Sequence, residues 1–289
     1  LNKERCIILQ YFECRGCKLP LGKKTYIMGI LNVTPDSFSD GGKYTTLEAS
    51  IARAEEMVKE GADIIDIGGE STRPGFEPID ANEELGRVIP VIESLANKLN
   101  VPLSIDTRKG IVAEQALEAG VHIVNDIWGL QGDDSIAKIA AKYKAGVIIM
   151  HNKPDNIYVN LMEDIKQFLR KSIDIALTTG IAANNIVIDP GIGFGKNFSH
   201  NLEVIRRLNE LKELGFPLLL GASRKSFIGK ILNLPADQRV EGTASVVAIG
   251  IDRGTDIVRV HDVKEMTRVA KVADAIIRGF NFKPEEVSR

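Results

Sequence analysis

Beyond about residue 25, short runs of aliphatic and β-branched residues alternate with longer stretches in which apolar positions recur every three or four residues. Eight of the short runs read as strands: Tyr26 to Leu31, Asp63 to Ile67, Pro102 to Ile105, His122 to Asn125, Gly146 to Met150, Ile186 to Ile188, Pro217 to Leu220 and Ile257 to Val260. They are continuously apolar, as strands of a parallel sheet covered on both faces should be. The segments between them read as amphipathic helices. The first starts at Thr45 with Glu48 at capping-box spacing, carries Leu47, Ile51, Ala54 and Val58 on one face, and stops at Gly61. Similar stripes run through Val88, Val91, Ile92 and Leu95, through Leu202, Ile205, Leu208 and Leu211, and through Val263, Met266, Ala270, Ala273 and Ile277. These stripes are core positions and carry no chemistry.

Eight strand–helix pairs predict an α/β fold, a single (β/α)8 TIM barrel over residues 26–280. Residues 1–25 read as a hairpin extension with turn points at Gly16 and Gly22, placed to plug the bottom of the barrel, and 281–289 as a C-terminal tail. An open doubly wound sheet is the rival fold. It wants a Gly-rich first turn, whereas the turn from Asn32 to Gly42 is long and lacks G-x-G-x-x-G.

Composition narrows the function classes. The 289 residues are 44% hydrophobic and 26% charged, the mix of an ordinary globular enzyme. With 37 Lys and Arg against 39 Asp and Glu, the formal charge is −2, so no net field draws the chain to nucleic acid or to an anionic membrane. Any anion must be held by local groups. No apolar run approaches the ~18 to 20 residues that cross a bilayer, and the start lacks a signal-peptide layout, so the expectation is a soluble cytoplasmic protein. Cys6, Cys14 and Cys17 are an odd set. Cys14 and Cys17 have C-x-x-C spacing, but with no second pair or nearby His for zinc and no βαβ unit around them, they read as thiols of the hairpin.

Barrel enzymes place their chemistry at the carboxyl ends of the strands. Here every strand ends in a polar group: Asn32, then Asp66 with the loop Gly68 to Gly75, Asp106-Thr-Arg108, Asn125-Asp126, Met150-His151, Asp189 to Phe194, Ser223-Arg-Lys-Ser226, and Arg259-Val-His261. Singly, each reads as well as a strand-end cap; their convergence on one rim is the informative feature. Asp106, Asn125 and Asp189 suit a flat heterocycle bearing N–H and NH2 groups, and Lys225 can donate to its carbonyl or ring nitrogen. Arg73, Arg259, His261 and Asn32, on the other side, suit a phosphate or pyrophosphate. Ser226 falls in the first turn of a helix, either as an N-cap or as a receptor for a carboxylate.

Other motifs fail. Gly191 to Lys196 is Gly-rich but lacks Walker spacing, and His122, His151 and His200 have no zinc spacing. For His122 a buried, hydrogen-bonded imidazole is the reading. Asp63 and Asp66 stand three apart on a strand and point to opposite faces, so one of them is structural.

Six segments, Ile30 to Gly42, Asp66 to Gly75, Ser104 to Thr107, Asp189 to Phe194, Ser223 to Ser226 and Arg259 to Asp262, together and in this order resemble the dihydropteroate synthases of the bacterial folate pathway. The resemblance implies a TIM barrel transferase, a sulfonamide target. It joins 6-hydroxymethyl-7,8-dihydropterin pyrophosphate to p-aminobenzoate with Mg2+ assistance, releasing pyrophosphate and 7,8-dihydropteroate. Carried over, Asp106, Asn125, Asp189 and Lys225 hold the pterin, with Met150 among the substrate contacts. Asn32, Arg73, Arg259 and His261 hold the pyrophosphate, with Asn32 as the metal contact. Phe38, Thr72, Pro74, Phe194 and Ser226 frame p-aminobenzoate, and Asp40 and Thr72 help to close the site. The loops bearing Asp40 and Arg73, rich in Gly and Pro, are expected to move. Asp106, Lys225, Arg259, His261 and Arg73 form the catalytic set, and a homodimer is implied. The stretch Asn152 to Asn156 departs from the family pattern.

The chemistry expected is a dissociative, SN1-like substitution. An electron-rich pterin delocalises a cation on its methylene, so no protein nucleophile is needed, and none of the Ser-His-Asp or Cys-His kind is seen. Two rivals remain: a pterin-dependent methyltransferase working with a corrinoid protein, and a catalytically idle pterin-binding barrel. Neither needs the anion-binding Arg73, Arg259, His261 and Ser223 to Ser226.

Overall fold

The structure, a computed structural model, describes residues 11–33, 43–70 and 79–279, with the backbone alone for 43–46. Eight parallel strands form the sheet: β3 (Tyr26–Asn32), β4 (Ile64–Gly68), β5 (Leu103–Asp106), β6 (Ile123–Asp126), β7 (Gly146–Met150), β8 (Ile186–Asp189), β9 (Leu219–Leu220) and β10 (Ile257–Val260). Each pairs with its sequence neighbour, and β10 pairs with both β3 and β9. A single bridge, Ile188 to Leu218, joins β8 to the β9 side and nearly closes the barrel. An open doubly wound sheet, with its reversal of strand order, is thereby excluded. All eight strands lie where the apolar runs place them, within two residues. The exception in length is β9, which shrinks to two residues because Pro217 has no N–H for a ladder.

The helices are α1 (Lys43–Glu60), α2 (Ala81–Ala96), α3 (Gly110–Glu118), α4 (Ser135–Tyr143), α5 (Leu161–Thr179), α6 (Phe198–Arg206), α7 (Ser226–Leu232), α8 (Val240–Asp252) and α9 (Val263–Arg278). Most stripe residues face the sheet. The first helix begins at Lys43, two residues before Thr45, and Leu47, Ile51 and Val58 are only partly buried. The stripe from Leu202 to Leu211 is two elements, α6 and a 3-10 segment Leu208–Leu214, and the face that α6 buries runs through Asn201, Val204 and Ile205, which leaves Leu202 at 38% exposure. Ile277 is likewise exposed, in the last turn of α9.

Inside the barrel, strand alternation builds two layers. The lower layer is apolar: Met28, Ile64, Ile123, Ile148, Val187, Leu219 and Ile257 cluster with Phe12 and Cys14. Those last two come from the hairpin of β1 (Tyr11–Cys14) and β2 (Cys17–Pro20), paired antiparallel with Cys14 opposite Cys17. The hairpin closes the bottom, as its place in the sequence predicts. Arg15 secures its turn by donating to Leu117 O at 2.7 Å and Val121 O at 2.5 Å. Gly146 makes the fit possible, since a Cβ there would lie 2.6 Å from Phe12 Cζ. Both cysteines are free thiols.

Candidate active site

Two residues beyond the lower layer, the same strand faces carry the chemistry. Ile64 leads to Asp66, Ile123 to Asn125, Ile148 to Met150, Val187 to Asp189 and Ile257 to Arg259; Ser104 on β5 leads to Asp106. Register sets Asp106 against Asn125, and Met150 against Asp189. Asp66, Asp106, Asn125, Met150 and Asp189 are all buried.

Arg259 ties this layer together. Its Nε donates to Asp66 Oδ2 at 2.6 Å and its Nη2 to Asp106 Oδ2 at 2.5 Å, while Asn125 Nδ2 donates to Asp66 Oδ2 at 3.1 Å. Arg259 therefore lies in the acceptor floor itself rather than in the separate cationic group expected for it. Burial works against the guanidinium charge, but Asp66 and Asp106 outweigh it and hold Arg259 above its ordinary range. Burial, opposed by Arg259 and reinforced by Asp66, pushes Asp106 above the usual carboxylate range. Asp66 Oδ1 and Asp106 Oδ1 are buried with no partner among the described residues. An unmet buried acceptor costs ~1 to 3 kcal/mol, a demand that N–H groups of a ligand can meet.

On β8, Asp189 Oδ1 accepts from Gly191 N at 2.7 Å, and burial pushes the carboxyl up to about 6 against that bond and against Lys225. Lys225 stands with its Nζ 4.3 Å from the Phe194 ring centre. The loop after β9 is held from behind. Arg239 donates to Arg224 O at 2.8 Å, and Arg224, in the left-handed region at φ 57°, pairs with Asp262. Ser223 Oγ lies 3.0 Å from His261 Nδ1 and accepts from His261 N at 3.2 Å. Ser226 opens α7, as expected, and is exposed. Asn32 ends β3; a side chain grafted onto Gly68 would come within 3.8 Å of Asn32 Oδ1 and 3.9 Å of Asp106 Oδ2.

Phe38, Asp40, Thr72, Arg73 and Pro74 lie outside the described residues, as does Cys6. The other sequence-predicted residues, Asn32, Asp106, Asn125, Met150, Asp189, Phe194, Lys225, Ser226, Arg259 and His261, come from strand ends or the loops just beyond them at one rim. Nothing in the sequence marks Asp66 as a partner for Arg259, or Lys196 and His151 as a part-buried pair. The Asp63 and Asp66 faces do diverge: Asp63 is structural, accepting from Ile27 N at 3.0 Å and Lys24 Nζ at 2.5 Å, while Asp66 faces inward. His122 lies just before β6, only partly buried, and its Nδ1 accepts from Leu103 N at 3.3 Å.

Fold and rim define a (β/α)8 barrel enzyme with a mixed-charge slot at the carboxyl ends of its strands. A family model for pterin binding enzymes matches residues 28–261. A dihydropteroate synthase from Clostridium beijerinckii is 52% identical over 259 residues, 89% of this chain and 96% of its own. The crystal structure of a dihydropteroate synthase from Clostridium difficile, in the presence of pteroic acid, is 56% identical with a TM-score of 0.88, covering 89% of this chain and 98% of that one. Dihydropteroate synthase of Xanthomonas albilineans with 4-aminobenzoic acid is 40% identical with a TM-score of 0.88, over 92% of this chain and 98% of that one. The chain belongs to the pterin binding enzymes and, within them, to the dihydropteroate synthases, transferases of folate biosynthesis.

Proposed function

We propose that the upper layer of this barrel joins 6-hydroxymethyl-7,8-dihydropterin pyrophosphate to p-aminobenzoate by an SN1-like substitution. One observation carries the reading: acceptors from β4, β5, β6 and β8 meet in one buried layer around Arg259, with two carboxylate oxygens still unpartnered among the described residues. Pteroic acid and 4-aminobenzoic acid in the structures of relatives support the same two substrates.

In this reading Asp106, Asn125 and Asp189 take the N–H edge of the pterin, Lys225 donates to its far side, and Met150 packs against it. As the methylene loses pyrophosphate, Asp106 and Asp189 stabilise the cation that spreads into the ring. Arg259, His261 and Arg73 receive the departing charge. Phe38, Thr72, Pro74, Phe194 and Ser226 frame p-aminobenzoate, whose amine attacks a carbon already electron-poor, and Asp40 helps to close the site. Arg259 has a double task, because the cation that balances Asp66 and Asp106 is also the one offered to the leaving group.

The donor set fits Mg2+ carried on the substrate. Among the described residues no group of three His, Cys, Asp or Glu side chains could hold a metal ion, while Asn32 offers a neutral oxygen at the rim. Mg2+ is satisfied by one such contact plus phosphate oxygens and water. When bound, Mg2+ would draw charge from the leaving pyrophosphate. A homodimer is the assembly we propose; Ile249 on α8 and Val272 and Ile276 on the adjoining α9 are exposed apolar residues that support it. No described helix is long and apolar enough to cross a membrane, and a cytoplasmic location is part of the same proposal.

Pyrophosphate release that depends on p-aminobenzoate tests the reaction. Release at the same rate without the amine, or none with both substrates present, would overturn it.

A further inference from the structure

Lys196 and His151 have no part in the steps above, yet His151 is buried and Lys196 partly buried against the residues that do. After β8 the chain runs through Asp189, Gly191 and Phe194, and Lys196 folds its side chain back beneath that loop. Its Nζ donates to Gly191 O and to Phe194 O, each at 3.0 Å, and lies 2.8 Å from His151 Nδ1. An ammonium has three N–H donors and no acceptor, so these contacts use all three and make His151 Nδ1 the acceptor. The imidazole is gripped in turn: its ring meets Phe168 edge-on with centres 5.0 Å apart, and its backbone N–H donates to Asp189 O at 2.9 Å. Gly191, at φ 69°, lets the loop lie directly on this segment, since a Cβ there would come within 2.0 Å of His151 O. One ammonium thus joins the end of β7 to both ends of the segment between Asp189 and Phe194.

We propose that Lys196 is a positioning residue of the pterin slot, whose charged amine fastens the loop after β8 to His151 so that the Asp189 carboxylate and the Phe194 ring keep their spacing. This rests on the reading that Asp189 holds the pterin. The charged groups around Lys196 are Asp189 on β8, Lys225 at the start of α7, and Lys153 and His151 in the segment after β7. Burial pushes Lys196 down to about 7, with Asp189 opposing and Lys225 and Lys153 reinforcing. Burial and then Lys196 push His151 down to about 3, so the imidazole is neutral and the pair carries its charge on the lysine. Above about pH 7 the amine becomes neutral, two donors remain for three acceptors, and one tether of the loop is lost.

Calorimetric titration with pteroic acid between pH 6 and 8.5 tests this on wild type, Lys196→Met, Lys196→Gln and Asp189→Asn. Wild-type affinity is expected to weaken as pH rises through about 7. Lys196→Met should bind about tenfold more weakly at pH 6.5, the equivalent of one charged hydrogen bond, and show no step near pH 7. Lys196→Gln, with two donors and no titrating charge, keeps the question open should the Met variant not fold, and should also lack the step. Ionisation of the ligand is common to all four proteins and cancels in the comparison. Wild-type affinity in Lys196→Met, a lowered melting temperature alone, or a persisting step in either Lys196 variant would overturn the proposal while Asp189→Asn binds weakly. Undiminished binding by Asp189→Asn would instead overturn the site reading beneath it.

Discussion

The two ends of the barrel are made by the same strand faces, two residues apart, and they are opposites. At the bottom, Met28, Ile64, Ile123, Ile148, Val187, Leu219 and Ile257 close on Phe12 with no charge among them. At the top, Asp66, Asp106, Asn125, Asp189 and Arg259 take their place, and the carboxyls of Asp106 and Asp189 are pushed up by their own burial. Apolar burial stabilises without direction, while buried charges cost desolvation that pairing offsets only in part. The contrast amounts to a division of labour. The lower layer and its hairpin supply stability, and the upper layer spends some of it holding buried acceptors together.

The sharpest way to break that division is to cross it. Phe12→Ala should cost ~3 to 5 kcal/mol of stability, read as a lower thermal midpoint, while kcat stays at the wild-type value below the melt. A tenfold fall in kcat in the folded variant would show that the bottom also serves the chemistry. Arg259→Ala should do the reverse, cutting kcat/KM for the pterin substrate by ~10² to 10³, because in the proposed reaction one residue both balances two carboxylates and receives the leaving charge. Loss of activity through unfolding alone, visible in the melt, would put Arg259 on the structural side.

Smaller changes sharpen the picture within the top layer. Asp189→Asn should weaken pterin binding by ~1 to 3 kcal/mol, since an acceptor oxygen becomes a donor facing N–H groups; unchanged affinity by calorimetry would contradict the assignment. The mildest perturbation is acid. Asp189 is a carboxylate above about pH 6 and loses its charge below it, so pterin affinity should decline as pH falls through that value. Asp189→Asn should lack this acid limb, and a limb that survives the substitution belongs to another group.

The strands were legible because each is a continuous apolar run ending in a polar residue, and those polar ends lie on one rim in any (β/α)8 barrel. Asp106, Asn125, Asp189, Lys225, Arg259 and His261 could therefore be named from one dimension. Leu202 fits the apolar period, but α6 turns Asn201 inward in its place, and an amide at a buried position is invisible to a count of apolar residues. Lys196 lacks Walker spacing, and nothing local signals that its side chain turns under its own loop to reach His151, 45 residues earlier.

What the sequence determined by itself is the alternation, hence the barrel, the layer in which each strand residue lies, and the chemical types gathered at the rim; period and strand order suffice for these. Which charge meets which is settled only on folding. Asp66 and Arg259 are 193 residues apart, and their pairing brings a cation into the acceptor floor. Coulomb energy depends on distance and local dielectric, and both are set when the barrel closes and water leaves its interior.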